Sequence, residues 1–514
     1  MADVADPRTL PDDGLGQSTM SRELPRPAPE HPGFAAVAET HVAAIFFAGD
    51  HVYKIKKPVD LGFLDFREAA TRAWACHREH ELNRRLAPDV YLDVVELRGQ
   101  RGQVHDHAVL MRRMPAERSL ARLVETGRAL EDDLREIARQ LAGLHADAPR
   151  SPEISGGTPH ELLDKWNRDL AELEPFTGAV LDRAAVAELA ALAREFLLGR
   201  GPLLRQRVAD GFVVDGHGDL LSEDVFCLDD GPRLLDCVEF DDQLRRVDGV
   251  DDAACLAMDL HRRGVPSLAA AFLQRYREFT GDPAPEALLH HYIAYRALVR
   301  AKVACLKGAA ESVDAQRHLA LALEQARRGR VRLVLVGGLP GTGKSTLAAE
   351  LAEHLGARLV SSDRLRTELF GPAEPSAYGT GQFAPDRIDQ VYERLLDRAE
   401  HLLARGESVV LDASWTSERH RRPARELGAR TCSDLVPLRC IAPAEVVRDR
   451  LGERTGSLSA ANEEVARAMG ADMDPWGEAR TVPTDQPGAA RRALAAITDP
   501  EIPEQTRAPR APGP

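Results

Sequence analysis

No stretch of the 514-residue sequence stays apolar for the roughly 18 residues that a helix needs to cross a bilayer, so no membrane partner is expected. The N-terminal residues also lack the charged head and apolar core of a secretory signal, and a cytoplasmic protein is expected. Cysteine is scarce and unpatterned. The seven cysteines, at 76, 227, 237, 255, 305, 432 and 440, form neither an even framework nor a C-x-x-C pair, which argues for reduced thiols buried as small apolar residues. Positive charge is in deficit as well. With 67 Lys and Arg against 81 Asp and Glu the formal net charge is −14, which disfavours nucleic acid as a broad partner but leaves room for a local basic patch around a phosphorylated ligand. No internal repeat is visible, so the halves of the chain are not expected to be copies of one another.

The length exceeds what one ordinary core organises, and two domains are expected. The proline-rich segments at 25–33 and 506–514 mark residues 1–30 and 499–514 as disordered tails. Between them, the helical pattern LALALEQARRGR (319–330) ends in a basic turn at Gly329, which divides a domain at 31–328 from one at 329–498.

The stretch VRLVLVGGLPGTGKST (331–346) organises the second domain: an apolar strand runs into glycines, a lysine and two hydroxyls. From Gly338 the spacing is G-x-x-x-x-G-K-S, that of a Walker A phosphate loop. Successive backbone N–H groups must converge on phosphate oxygens there, and Gly338, Gly341 and Gly343 allow backbone angles and a close approach that side chains would block. Leu339, Pro340, Thr342 and Thr346 complete the loop, Lys344 is placed to reach the β and γ phosphates, and Ser345 to hold Mg²⁺. The helix pattern that opens at Ser345 directs its positive end at the same anion.

In the first domain, HVAAIFFAGDHVYKIKK (41–57) reads as a β-hairpin about Ala48, Gly49 and Asp50, with Lys54 and Lys56 on one face of the second strand. A helical pattern carrying Glu79 and Glu81 follows. A strand lysine and a helix glutamate are ordinary solvated charges when taken alone. They are also the pair by which eukaryotic-type kinases fix a lysine on nucleotide phosphates. A strand at 104–114 and an amphipathic helix ending near His145 suggest a small lobe joined to a larger one. Then FVVDGHGDLLSEDVFCLDDGPRLLDCVEFD (212–241) places His217 and Asp219 on a loop after an apolar strand, Asp224 five positions on, and Asp236 after a hairpin. Asp219 suits deprotonation of an acceptor hydroxyl, Asp224 and Asp236 suit Mg²⁺ bridging phosphates, and His217 suits bracing of the loop. On the helix near residue 296, Tyr292, Arg296 and Arg300 share a face, either lining a polar substrate cleft or forming a solvated basic stripe.

The segments VYKIKKPVDLGFLDF (52–66), REHELNRRLAPDVYL (78–92), DGHGDLLSEDVFCL (215–228), LLDCVEFDDQLR (234–245) and AYRALVRAKVA (294–304) together resemble the aminoglycoside phosphotransferase-like kinases, in the bacterial branch fused to a C-terminal P-loop domain. The resemblance implies a bilobal, protein-kinase-like fold. It also implies that Lys54 positions phosphates with Glu79 as partner, that Met111 to Met114 form an adenine hinge, that Asp219 is the catalytic aspartate and that Asp236 is the principal metal ligand. Two departures stand out. Asp224 replaces the usual asparagine, adding a charge beside the metal, and the G-x-G-x-x-G loop of protein kinases is absent, as is usual for that family.

In the second domain, ARLVSSDRLRTELFG (357–371) brings Asp363 and Arg366 to a strand end, where ligands of open α/β sheets bind. Asp363 is there an acceptor of the substrate proton, a helix cap or both, and Arg366 lies near the substrate or a phosphate. The strand SVVLDASW (408–415) delivers Asp412 as an indirect Mg²⁺ ligand, and Arg450 and Arg454 have the spacing of lid arginines that close over transferring phosphates. These features resemble the gluconate-kinase-like and polynucleotide-kinase-like P-loop kinases over about 331–485. The expected fold is therefore a mixed α/β and α+β chain, bilobal first and then a three-layer P-loop domain with a parallel sheet. The expected cofactors are ATP or GTP with Mg²⁺, and the expected partners are small-molecule hydroxyl compounds, with the oligomeric state open. Two rival readings make one half a regulatory nucleotide-binding module, or make the second half a kinase of nucleic-acid 5′ ends.

Overall fold

The computed structural model describes residues 36–40, 42–60, 64–149, 156–372, 379–452 and 463–498. Both expected tails and Arg454 fall outside them. The chain divides into two compact units, Met1–His80 with Asp89–Ala116, and Glu81–Pro88 with Glu117–Pro514.

The first unit is built on an antiparallel sheet of β1 (Ala36–Glu39), β2 (Ala43–Ala48), β3 (His51–Lys56), β4 (Tyr91–Arg98) and β5 (Val104–Arg112), in the order β1-β2-β3-β5-β4. The β2–β3 hairpin turns on Gly49 and Asp50, with Gly49 at φ 59°, a value glycine reaches without a Cβ penalty. Along β3 the buried side is Val52, Lys54 and Lys56. Two lysines on the inner face of a strand require a buried counter-charge. Glu79 supplies it from the helix Ala69–Asn83.

The second unit contains two architectures. Residues 117–328 are mostly helical around one large core, interrupted by the short antiparallel pairs of β6 (Val213–Asp215) with β9 (Arg246–Asp248) and β7 (Val225–Leu228) with β8 (Gly231–Leu234). At its centre the helix Gly249–Arg262 is buried from Gly249 through Leu260, three carboxylates included. Beneath it, Arg207 binds Asp248 and Asp282 together, at 2.7 Å from Nη2 to each, so the buried cation and anions answer one another.

Residues 331–498 hold a parallel sheet of β10 (Arg332–Gly337), β11 (Arg358–Ser361), β12 (Val409–Asp412), β13 (Asp434–Ile441) and β14 (Arg480–Pro483), in the order β11-β12-β10-β13-β14. Because side chains alternate along a strand, β10 feeds two cores. Leu333 and Leu335 pack with the helices Pro385–Ala404 and Glu418–Arg430 on one face, and Val334 and Val336 with Lys344–Leu355 and Ala489–Thr498 on the other. This is the three-layer arrangement, and the apolar run of β10 follows from burial on both faces. β11 and β12 lie to one side of β10, and β13 and β14 to the other. The loop after β10 therefore opens where strand order reverses, which is where open α/β sheets bind ligands.

Candidate functional site

The loop after β10 is shaped by its glycines. Gly338, Gly341 and Gly343 have φ of 143°, 84° and 80°, and a Cβ on Gly338 would stand 2.8 Å from the Cys440 carbonyl of the neighbouring β13. Only glycine fits that approach. The loop is pinned at its start by Gly338 N–H donating to Ser414 O at 3.1 Å, and within by Thr342 Oγ1 donating to Leu339 O at 2.7 Å. The helix Lys344–Leu355 follows with Gly343 at its cap and no side chain closing its first turn, so its leading N–H groups face the loop.

Lys344 is buried at the base of this loop, and the Asp412 carboxyl at the end of β12 is buried as well. Burial raises the Asp412 pKa above its ordinary value, and the Asp363 carboxylate adds to the rise. The Lys344 charge and the Ser345 and Ser361 hydroxyls act against it. Ser361 Oγ donates to Asp412 Oδ2 at 3.4 Å, while Oδ1 is buried with no hydrogen bond among the described residues. A carboxylate oxygen left open beside a serine hydroxyl at a phosphate loop fits a hydrated Mg²⁺. Across the loop mouth, Asp363 pairs with Arg366, whose guanidinium lies 5.1 Å from the Phe383 ring centre. The helix Ser362–Phe370 begins at Ser361 with no side-chain cap, so Asp363 does not cap it and is committed to Arg366 instead. Tyr392 presents its hydroxyl to Ser414 Oγ at 3.1 Å and receives Trp415 N–H at 3.0 Å, closing the same strand edge.

Arg450, on the helix Ala444–Gly452, donates to Thr484 O at 2.9 Å and to Thr484 Oγ1 at 3.3 Å, and Thr484 Oγ1 donates to Thr342 O at 2.5 Å. Beside it opens a cavity of about 490 Å³ lined by Gly341, Gly343, Thr346, Arg450, Gln486 and Gly488. The segment after β14 is therefore part of this site. The sequence signal for it is thin, a T-D-Q-P-G turn after a four-residue strand, and it was not among the expected site residues. Arg454 lies outside the described residues. Arg421, in the basic run after β12, is buried and donates to the carbonyls of Trp415 and Pro475 at 2.8 Å each, which makes it a structural arginine.

In the helical half, Asp219, its side chain 40% exposed, stands on the loop between β6 and β7. Its Oδ2 accepts from Arg300 Nη1 at 3.2 Å, and its Oδ1 from the Cys255 thiol at 3.5 Å. The loop is held from below by the buried helix. Asp252 accepts the N–H of His217 and of Gly218, each at 2.7 Å, and His145 Nε2 at 2.9 Å. Asp259 accepts Ser222 N–H at 3.1 Å and its hydroxyl. Asp251 pairs with Arg296 at 2.7 Å, and Arg296 Nη1 donates to Gly218 O at 2.7 Å. Arg296, expected among the substrate-binding residues, is thus buried under the loop with Nε and Nη1 engaged there, while Nη2 reaches no acceptor among the described residues. His217 is buried with Nε2 against Leu235 O at 2.9 Å. Asp224 is half-buried, with its carbonyl accepting Leu235 N–H at 2.9 Å, so the segments carrying Asp224 and Asp236 are joined through β7 and β8. Asp236 is exposed and adopts φ 67°, rare for a residue with a Cβ and a strain that concentrates at functional sites.

The role of Asp252 carries a pH consequence. Burial alone would raise its carboxyl, but the hydrogen bond and charge of His145, with His217 and Arg296 nearby, outweigh it, and the pKa falls below its ordinary 3.8. A lowered folded-state pKa stabilises the fold above the unfolded value and loses that contribution as pH falls below it. In urea titrations, the stability advantage of the native chain over Asp252→Asn is therefore expected to be full at pH 6 and to shrink as the pH drops below about 4.

In the first unit, Glu79 Oε1 meets Lys54 at 2.9 Å and Oε2 meets Lys56 at 2.6 Å. Lys56 is the more deeply buried lysine and lies 5.8 Å from the Phe66 ring centre. Met111, in β5, pairs with Val52 and Tyr91, and Met114 follows the strand; both are half-buried.

Residues 333–476 match the AAA domain family. This is a nucleotide-binding P-loop domain, and the match covers the loop, Asp363, Asp412 and Arg450. Over 463 residues the chain is 41% identical to the uncharacterized protein Rv2004c of Mycobacterium tuberculosis, covering 88% of this chain and 93% of that protein. It belongs to that family. The same identity and coverage relate it to the uncharacterized protein Mb2027c of Mycobacterium bovis, so members of the family carry both halves in one chain. Among solved structures, a choline kinase from Cryptosporidium parvum aligns over 58% of this chain and 87% of its own, at 9% identity and TM-score 0.38. A gluconokinase from Sinorhizobium meliloti aligns over 32% and 91%, at 23% identity and TM-score 0.24.

Proposed function

We propose that the chain is an ATP- or GTP-dependent phosphotransferase with two nucleotide sites, each passing the γ-phosphoryl group to a hydroxyl of a small molecule such as a sugar, an aminoglycoside-like compound or a nucleoside. The observation that carries this reading is the set of groups acting on the buried Asp412 carboxyl: Lys344 and Ser345 from the loop after β10, and Ser361 and Asp363 from the end of β11, two segments that meet β12 at one edge of the parallel sheet. A phosphate-binding cation, a metal-ligand pair and a candidate base meet where strand order reverses.

In the P-loop half, the backbone N–H groups of 338–345 hold the phosphates, Lys344 neutralises charge on the transferring group, and Arg450 approaches from the Gly341 side. Asp363 takes the acceptor proton and Arg366, tethered on Phe383, orients the acceptor. Ser345 and Asp412 would hold Mg²⁺, which supplies further neutralisation of the phosphates. In the helical half, Asp219 is the base, with its loop fixed by Asp252, Asp259 and Arg296, and Asp224 and Asp236 are the metal ligands. In the first unit, Glu79 holds Lys54 for phosphate contact.

A second reading, in which the helical half binds nucleotide without transferring phosphate, is favoured by the Arg300–Asp219 ion pair, which occupies the candidate base, and by the carboxylate at Asp224. Transfer of label from γ-labelled ATP or GTP with Mg²⁺ to sugars, aminoglycosides, nucleosides and a 5′-hydroxyl oligonucleotide tests the proposal. Two separable acceptor classes are expected, and hydrolysis without acceptor labelling would count against it.

A further inference from the structure

Apart from both candidate sites, a recess lies where the helices Arg183–Gly199 and Glu286–Lys307 meet the turn that leads into β13. Trp166, Phe196 and Val331 form apolar walls, and the polar lining comprises Arg200, His291, Cys432, Arg330 and the carboxylates Glu195 and Asp434. About 30 Å³ is open to the centre of a water-sized sphere, more than one water requires.

Two polar side chains in it are unusual. Arg200 is 1% exposed; its Nη2 donates to Thr431 O and, at 3.3 Å, to Ser433 Oγ, but Nε and Nη1 reach no acceptor among the described residues. Among the described residues no carboxylate forms an ion pair with Arg200, although Glu195 and Asp434 share the lining. Asp434, whose charge it feels, is engaged by Arg330 at 2.5 Å. His291 is 4% exposed, stacks on Phe196 at 4.2 Å and 12°, and its Nε2 also lacks a partner among the described residues. Burial lowers the guanidinium pKa to about 10, so Arg200 remains charged at neutral pH, and burial lowers His291 to about 3, so its ring is neutral. An enclosed cation with open donors beside a neutral ring N–H calls for an anion.

We propose that this recess binds a small monovalent anion, of chloride or carboxylate size, held by the free donors of Arg200 with the His291 imidazole beside it. The anion closes a seam between the helical half and the P-loop half. The backbones touch there: a Cβ on Gly199 would lie 2.3 Å from Thr431 O, and Cys432 adopts φ 45° to make the turn. The ligand is a fastening element of the two halves, separate from either phosphate site.

The test uses the full chain without nucleotide. Its thermal midpoint is titrated with sodium chloride, bromide, formate and phosphate, with ionic strength held constant by sodium methanesulfonate. A saturable rise of about 3 °C with chloride, bromide or formate is expected, absent in Arg200→Met and reduced in His291→Phe. Should Arg200→Met fail to fold, crystals of the native chain grown in bromide decide the matter: an anomalous peak beside Arg200 Nε supports the site. Equal midpoints in all salts, ordered water alone beside Arg200, or a response confined to phosphate would each overturn the small-anion assignment.

Discussion

Lys344→Ala is expected to lower acceptor-dependent turnover by the P-loop half by about 10²–10³-fold, the effect of removing one fixed charge or donor from a transferring group in a dry site. The loss should fall chiefly on kcat, because the backbone N–H cradle of 338–345 remains to bind phosphates while the side chain that meets charge developing in the transition state is gone. Lys344→Arg restores the charge but not the shape. The planar fork of arginine needs more room than a loop in which even a Cβ on Gly338 or Gly341 would come within 3 Å of a neighbour can offer. The arginine variant is therefore expected to recover little of the rate. Coupled assay of ADP release gives the rates, calorimetric titration with a non-hydrolysable nucleotide gives the binding, and an unchanged thermal midpoint separates lost chemistry from lost fold. Turnover within a few-fold of native for Lys344→Ala would remove this half from the catalytic proposal.

The parts of this site that sequence reading reaches are those whose demands fall on consecutive residues. A phosphate loop needs glycines, a lysine and a hydroxyl at fixed offsets from a strand, and 338–346 display all of them in one stretch. Strand-end carboxylates are legible for a similar reason: Asp363 and Asp412 follow short apolar runs, and parallel strands align their carboxyl ends. The β2–β3 hairpin and its lysines are visible because the alternation and the Gly49 turn are local. By contrast, the support of the Asp219 loop comes from residues about 35 positions away on another helix, and spacing along the chain contains no trace of that pairing. A hint exists in DGVDDAACLAMDL (248–260), where four carboxylates interrupt an apolar helix; charges in a segment with no polar face to carry them must be satisfied inside. Arg296 shows the opposite failure. Helical spacing places it with Tyr292 and Arg300, but whether that face meets a cleft or a buried loop depends on tertiary packing, which periodicity cannot report.

Asp219→Ala is expected to abolish the second acceptor-dependent activity by about 10³-fold while leaving the P-loop activity at its native rate. The two losses should be independent, since Asp219 and Lys344 share no hydrogen-bond partner among the described residues and belong to separate cores, so the double variant should show the product of the single effects in each assay. Fold is not at risk from this change. The Asp219 side chain is 40% exposed, and the loop is fixed by Asp252, Asp259 and Arg296 rather than by Asp219 itself. What does change is Arg300, which loses its ion-pair partner and the carboxylate that holds its pKa above the ordinary value against desolvation. Arg300→Met thus provides the complementary test. If Asp219 is a base held by its arginine until an acceptor arrives, Arg300→Met frees the carboxylate, and the second acceptor-dependent activity should rise while the P-loop activity does not change. If instead Asp219→Ala leaves every labelled product in place, phosphoryl transfer belongs to the P-loop half alone. The helical half would then be a nucleotide-binding module in which Asp224 and the Arg300–Asp219 pair have taken the place of a working base.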